Sequence, residues 1–154
     1  MTINLGGVPI QDVRVAGVQA QKVMLGTGTS AVEVWSAVPP YAASGAIPAQ
    51  AGERQNYWKT VASHTMTRAV QSATLSLTVV WTNVAAQSHK VMITVNGIAV
   101  ATNETKPPSG ANRSQSVSAT TPLAAGDVIG FSITSWDANA ANRSITGGSW
   151  SVNG

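Results

Sequence analysis

The chain has 154 residues, of which 44% are hydrophobic and only 10% charged, against ~25% charged in ordinary globular domains. Its net charge of +3 comes from nine scattered Lys and Arg against six acids. No two bases are adjacent, which argues against the clustered phosphate contacts of a nucleic-acid-binding face. The absence of cysteine excludes disulfides and thiolate metal sites.

Met1-Thr2-Ile3-Asn4-Leu5 has neither a basic nor a long apolar stretch, so no signal peptide is expected. No apolar run approaches the ~20 residues of a membrane span, so no membrane insertion is expected. Residues 1–36 read as a small module of short strands broken by glycine: Ile3–Leu5, Ile10–Val15, Ala20–Leu25 and Ala31–Trp35, with Gly6-Gly7, Gly17 and Gly26-Thr27-Gly28 between them. Val13 and Val15 alternate with Asp12 and Arg14, and Val32, Val34 and Ser36 alternate with Glu33 and Trp35. That period of two predicts half-buried strands. The segments repeat loosely, about every ten residues, and a repeat this small needs a partner to bury its apolar face.

Residues 37–50 contain three prolines among small residues. The composition fits a linker kept extended by Pro39-Pro40, and equally a loop wrapped over the next domain. Residues 51–154 read as the main domain. Thr74–Trp81 alternates cleanly, with Leu75, Leu77 and Val79 on one face. Lys90–Asn96 and Ile98–Ala101 flank Asn96-Gly97, a type I′ hairpin signal. Residues 102–114 read as a polar loop. Ser116–Thr120, Val128–Ser135 and Ser149–Val152 follow as strands, with Leu123-Ala124-Ala125-Gly126-Asp127 a turn whose Asp side chain caps backbone N–H groups. Ser63–Ser72, the best helical candidate, is rich in Thr, Ser and Val and reads better as strand. Short strands at this spacing predict an all-β chain: the small module, then a β-sandwich of jelly-roll type.

Catalytic constellations are missing. Asp12, Glu33, Glu53, Glu104, Asp127 and Asp137 form no pair at a spacing that forces two carboxylates together, as glycoside hydrolysis needs. His64 and His89 lie at no metal-ligand spacing. No G-x-S-x-G and no phosphate-binding loop is present. The expectation is a protein that is not an enzyme and holds no cofactor and no metal. An oxygen-ligand calcium site at Asp137, Asn139 and Asn142 lacks the full acidic pattern.

Five tryptophans stand against one phenylalanine and two tyrosines. Indoles fill cores, anchor interfaces and stack on sugars. Trp81 and Trp150, set in strong strands, are expected in the core. Tyr57 and Trp58, together with Trp136, Asp137, Asn139, Asn142 and Arg143, make a candidate glycan cradle that would recognise a host cell-surface glycan.

Val23-Met24-Leu25-Gly26-Thr27-Gly28 followed by Val32-Glu33-Val34-Trp35-Ser36 resembles a segment near the N-terminus of small bacteriophage virion proteins, chiefly minor tail proteins. There it precedes a variable β domain. The resemblance covers residues 3–36, and Met24 stands where those proteins often carry tyrosine. It implies a structural virion protein, made in the host cytoplasm, whose first module anchors it to other virion proteins while the sandwich faces outward. Val23, Leu25, Val32, Val34 and Trp35 would carry the anchoring. A capsid decoration protein fits the same features. Either role implies a homo-oligomer matched to the symmetry of the particle.

Overall fold

A computed structural model describes the backbone of residues 4–5, 8–9, 14–15, 18–19, 22–27, 30–36 and 135, and both backbone and side chains of 38–50, 57–82, 88–106, 112–134 and 144–154. Every element among the described residues is a strand. The chain divides into two compact units, Met1–Pro40 and Tyr41–Gly154.

The first unit consists of antiparallel two-stranded ribbons. β1 (Asn4–Leu5) pairs with β2 (Val8–Pro9), β3 (Arg14–Val15) with β4 (Val18–Gln19), and β5 (Lys22–Thr27) with β6 (Ser30–Ser36). Gly26 and Thr27, expected in the break Gly26-Thr27-Gly28, instead belong to β5 and pair with Ala31 and Ser30. The strict alternation expected over Val32–Ser36 is interrupted. Val23 pairs with Trp35 but Met24 pairs with Glu33, so Val34 is the extra residue of a β-bulge.

The second unit holds β7 (Ala42–Ile47), β8 (Lys59–Thr65), β9 (Val70–Trp81), β10 (His89–Val95), β11 (Ile98–Thr105), β12 (Arg113–Leu123), β13 (Val128–Ser135) and β14 (Ile145–Asn153). Pairing is first with last and inward from there: β7 with β14, β8 with β13, β9 with β12, β10 with β11. This makes one long antiparallel ribbon. It folds so that β14 meets β9 and β13 meets β10. The result is two four-stranded sheets, β12-β9-β14-β7 and β11-β10-β13-β8. Such a rolled double sheet is a jelly roll.

Alternation decides what lies between the sheets. Leu75, Leu77, Val79 and Trp81 of β9, Val91 and Ile93 of β10, Ile129, Phe131 and Ile133 of β13, and Val152 of β14 are all buried. Their neighbours along each strand face outward. Burying each large apolar side chain contributes about 1.5–3 kcal/mol.

Three sequence expectations give way. The stretch 37–50 is no linker throughout, because Ala42–Ile47 is an edge strand of the first sheet. Its small residues carry little strand propensity, but they suit a strand lying beneath an indole. A Cβ on Gly45 would sit 2.6 Å from Trp150 Nε1. Ser63–Ser72 is two strands rather than one: β8 ends at Thr65 and β9 begins at Val70. The polar run 102–114 is strand to Thr105 and again from Arg113, since an edge strand with both faces near water needs no apolar alternation.

Turn chemistry holds. Asn96 and Gly97 both adopt positive φ, 52° and 80°, which a type I′ turn requires. Asp127 Oδ2 accepts from the Ala124 amide at 2.7 Å, and Oδ1 accepts from Asn96 Nδ2 at 2.8 Å. Asn96 Oδ1 in turn accepts from the Val128 amide at 2.9 Å. These bonds tie the β10–β11 turn to the β12–β13 turn. The Ala124 amide first, and the Asn96 amide second, hold the Asp127 carboxyl below its usual 3.8. Because the folded value lies below the unfolded one, the stabilisation is full above 3.8 and is lost as pH falls through the lowered value. Thermal melts recorded down to about pH 2 are expected to show Asp127→Asn flattening that acid limb. An unchanged limb would assign it to other carboxylates.

Candidate interaction surfaces

No group of three or more metal-ligating side chains converges among the described residues. The acids described there have structural partners. Glu104 accepts from the Ser88 hydroxyl and pairs with Lys90 Nζ at 3.0 Å. Those two contacts, the hydroxyl first, hold its carboxyl below the usual carboxylate value. Trp81 is buried, as the sequence leads one to expect, and Trp150 packs against the core from a half-buried position.

A buried polar centre joins the two sheets. Trp81 Nε1 donates to Gln115 Oε1 at 2.7 Å. Gln115 Nε2 donates to the carbonyl of His89 at 3.1 Å and to that of Asn103 at 2.9 Å. One amide thus spends both donors and an acceptor on three strands. Asn103 Nδ2 donates back to the Ser116 carbonyl at 2.7 Å. β11 and β12 are edge strands of different sheets, and Gln115 covers the Asn103 carbonyl of β11 while Asn103 covers the Ser116 carbonyl of β12. Open strand edges template unwanted pairing, and such side-chain cover blunts them.

At the opposite margin of the sandwich a second cluster crosses between the sheets. Tyr41 Oη and His64 Nε2 are 2.6 Å apart. His64 lies 5.3 Å from the Trp150 ring, and Trp150 stacks on Phe131 at 5.3 Å. Arg68 sits 5.4 Å over the Tyr41 ring, a cation–π contact.

The two outer faces differ. On the β11-β10-β13-β8 sheet the Lys90–Glu104 pair lies on the surface. The outer face of the β12-β9-β14-β7 sheet carries no charge over three complete rows. Register aligns Ser118, Ser76, Ser151 and Ser44 in one row, Ser116, Thr78, Ser149 and Ala46 in the next, and Thr120, Thr74, Asn153 and Ala42 in the third. Hydroxyls bond sideways within the plane: Thr78 Oγ1 to Ser116 Oγ at 2.8 Å and Thr74 Oγ1 to Thr120 Oγ1 at 3.5 Å. A shallow depression of about 300 Å³ runs between β9 and β12, lined by Ser76, Thr78, Ser116, Val117 and Ser118.

Of the glycan candidates, Tyr57 and Trp58 are exposed, 76% and 41%, and lead into β8. Trp136, Asp137, Asn139, Asn142 and Arg143 lie outside the described residues, as do the calcium candidates among them. Of the anchoring candidates, Val23 pairs with Trp35 and Leu25 with Val32 in the β5–β6 ladder, with Val34 at the bulge. Sequence reasoning missed the buried Gln115 and the hydroxyl rows. An alternation of serines with apolar residues marks a surface face, but only the pairing register shows that four such faces coincide.

No protein-family model matches the chain. No curated protein matches it either. Among solved structures it is similar to a chain of the T13 IBDV viral particle, with a TM-score of 0.55, 15% identity, 88% of this chain covered and 36% of that one. A chain from the Gx strain of infectious bursal disease virus aligns at a TM-score of 0.48 with 11% identity, covering 99% of this chain and 41% of that one. The chain spans well under half the length of these solved chains. At such identities the likeness is one of fold.

Proposed function

We propose that the chain is a non-catalytic structural protein of a virus particle. The observation that carries this reading is the rolled ribbon of eight strands, β7–β14, a topology that recurs in capsid domains, together with the fold likeness to a chain of a viral particle. The charge-poor surface and the engagement of Glu104 and Asp127 in structural bonds support a body built for contact. Among the described residues, no helix is long and apolar enough to cross a membrane.

The finer reading is a bacteriophage minor tail protein. It rests on the resemblance of residues 3–36, and a capsid decoration protein is its alternative. In both, the β5–β6 ribbon attaches to other virion proteins through its free strand edges, with Val23, Leu25, Val32, Val34 and Trp35 carrying the contact. The jelly roll then faces outward.

The test is a mass-spectrometric inventory of purified particles with immunogold labelling, comparing the full chain with one lacking residues 1–36. The full chain is expected on the particle at fixed copy number, and label position separates tail from capsid. The shortened chain is expected to fold, because Tyr41–Gly154 is compact by itself, and to be absent from particles. A shortened chain at normal copy number sinks the anchoring role, and absence of the full chain sinks the particle reading.

A second reading is favoured by the exposure of Tyr57 and Trp58. Two uncovered aromatics beside each other offer stacking surfaces to a host cell-surface glycan. Quenching or a blue shift of tryptophan fluorescence on adding cell-wall glycans, lost in Trp58→Ala, is the expected signature. An unchanged spectrum across the panel removes this role.

A further inference from the structure

We propose that the outer face of the β12-β9-β14-β7 sheet is where a second copy of this chain stacks, face to face about a two-fold axis. The inference goes beyond the particle reading, since it concerns pairing between copies and needs no particle.

Three physical features point to that occupant. The first is charge. A two-fold interface brings each surface patch against its own copy, so a charged face repels itself. The rows through Ser76, Thr78 and Thr74 carry no charge on any of four strands. Among the described ionic groups, Lys90 and Glu104 belong to β10 and β11 of the other sheet, Asp127 sits in a turn, and Arg113, at the start of β12, pairs with Trp81 outside the three rows.

The second is the cost of covering the face. Long side chains lose up to about 2 kcal/mol of rotamer freedom each when buried. Here the longest side chain in the rows is that of Asn153. Hydroxyls normally resist burial because they forfeit hydrogen bonds to water. Thr78 with Ser116, and Thr74 with Thr120, already bond within the plane, which lowers that penalty. The remaining hydroxyls can donate to, or accept from, the same residues of the opposing copy.

The third is area. Strands ~4.8 Å apart, about 30 Å long in β9, β12 and β14 and about 20 Å in the six-residue β7, make a plane on the order of 500 Å² per copy. With the side chains at its margin, that reaches the low end of specific interfaces. A foreign protein would need a matching uncharged flat face. A second copy has one by identity.

Sedimentation velocity of the full chain over a concentration series tests this. The wild type is expected to pass from monomer to dimer. Ser76→Lys with Ser151→Lys puts two like charges at the centre of each face and is expected to weaken dimerisation at least tenfold, with far-UV circular dichroism unchanged. Mixing that variant with Ser76→Glu, Ser151→Glu is expected to restore a one-to-one dimer. A wild type that stays monomeric at high concentration overturns the proposal. So does a dimer or trimer whose assembly the lysine variant leaves unaltered, because its contacts then lie on other surfaces. Failure of the mixed pair to associate, when both variants are folded and monomeric, also overturns it. None of these results touches particle incorporation, so the particle reading stands or falls separately.

Discussion

Gln115→Leu is expected to lower the stability of the chain by about 2–4 kcal/mol, read as a shift in the denaturant midpoint. Leucine fits the volume, so the loss is polar rather than steric. Gln115 accepts from the Trp81 indole and donates to the carbonyls of His89 and Asn103. Stranding a buried donor or acceptor costs about 1–3 kcal/mol, and Trp81, 1% exposed, has no route for its N–H to reach water. The same substitution uncovers the Asn103 carbonyl on the β11 edge. A second consequence is therefore concentration-dependent aggregation on warming, visible by light scattering. A change below about 1 kcal/mol would mean that the sheets relax enough to admit a water as substitute.

Gly148→Ala is expected to be at least as damaging, at about 3 kcal/mol or more. Overpacking usually costs about 1–3 kcal/mol where side chains can yield. Here the added Cβ would fall inside the Thr78 carbonyl oxygen and 3.1 Å from the Val79 Cα. Those are backbone atoms of β9, and they can retreat only by parting β14 from β9 at the middle of the sheet. Gly45→Ala is the informative contrast. The three atoms nearest its Cβ all belong to the Trp150 indole, at 2.6 to 2.9 Å, and a side chain can swing away. That variant is expected to keep the fold while shifting tryptophan emission, because Trp150 must leave its stack on Phe131. Thermal unfolding monitored by fluorescence separates the two. Equal losses in both would show that the β7 edge is as rigid as the sheet centre.

Both substitutions act on features that local sequence does not announce. Nothing about Gly148 distinguishes it from a turn glycine until β14 is laid against β9. Gln115 sits in a run of serines and reads as surface, yet its partners lie 26 and 34 residues away in the chain. The hydroxyl rows are visible strand by strand as outward serines and threonines. Their alignment into one uncharged plane depends on the registers Ser118↔Ser76, Ser76↔Ser151 and Ser151↔Ser44. β7 was hidden for another reason. Before Ile47, the stretch 42–46 carries none of the branched and aromatic residues that mark strands, and Gly45 in it lies against the Trp150 indole.

The sequence by itself determined the class of the fold, the core face of β9, the Asn96-Gly97 turn and the Asp127 cap, whereas in β13 it pointed to Val128, which is exposed, and the structure buries Ile129 and Phe131 instead. Each of these is local. Period-two alternation states which side of a strand meets the core, and turn geometry depends on a few adjacent residues. Tertiary structure alone decided which strands lie side by side, that β7 completes the sheet, where Gln115 finds its partners, and that one outer face is uncharged over three complete rows. The physical reason is that strand pairing is made by backbone groups common to every residue. Their order is fixed only when the whole ribbon closes over its core.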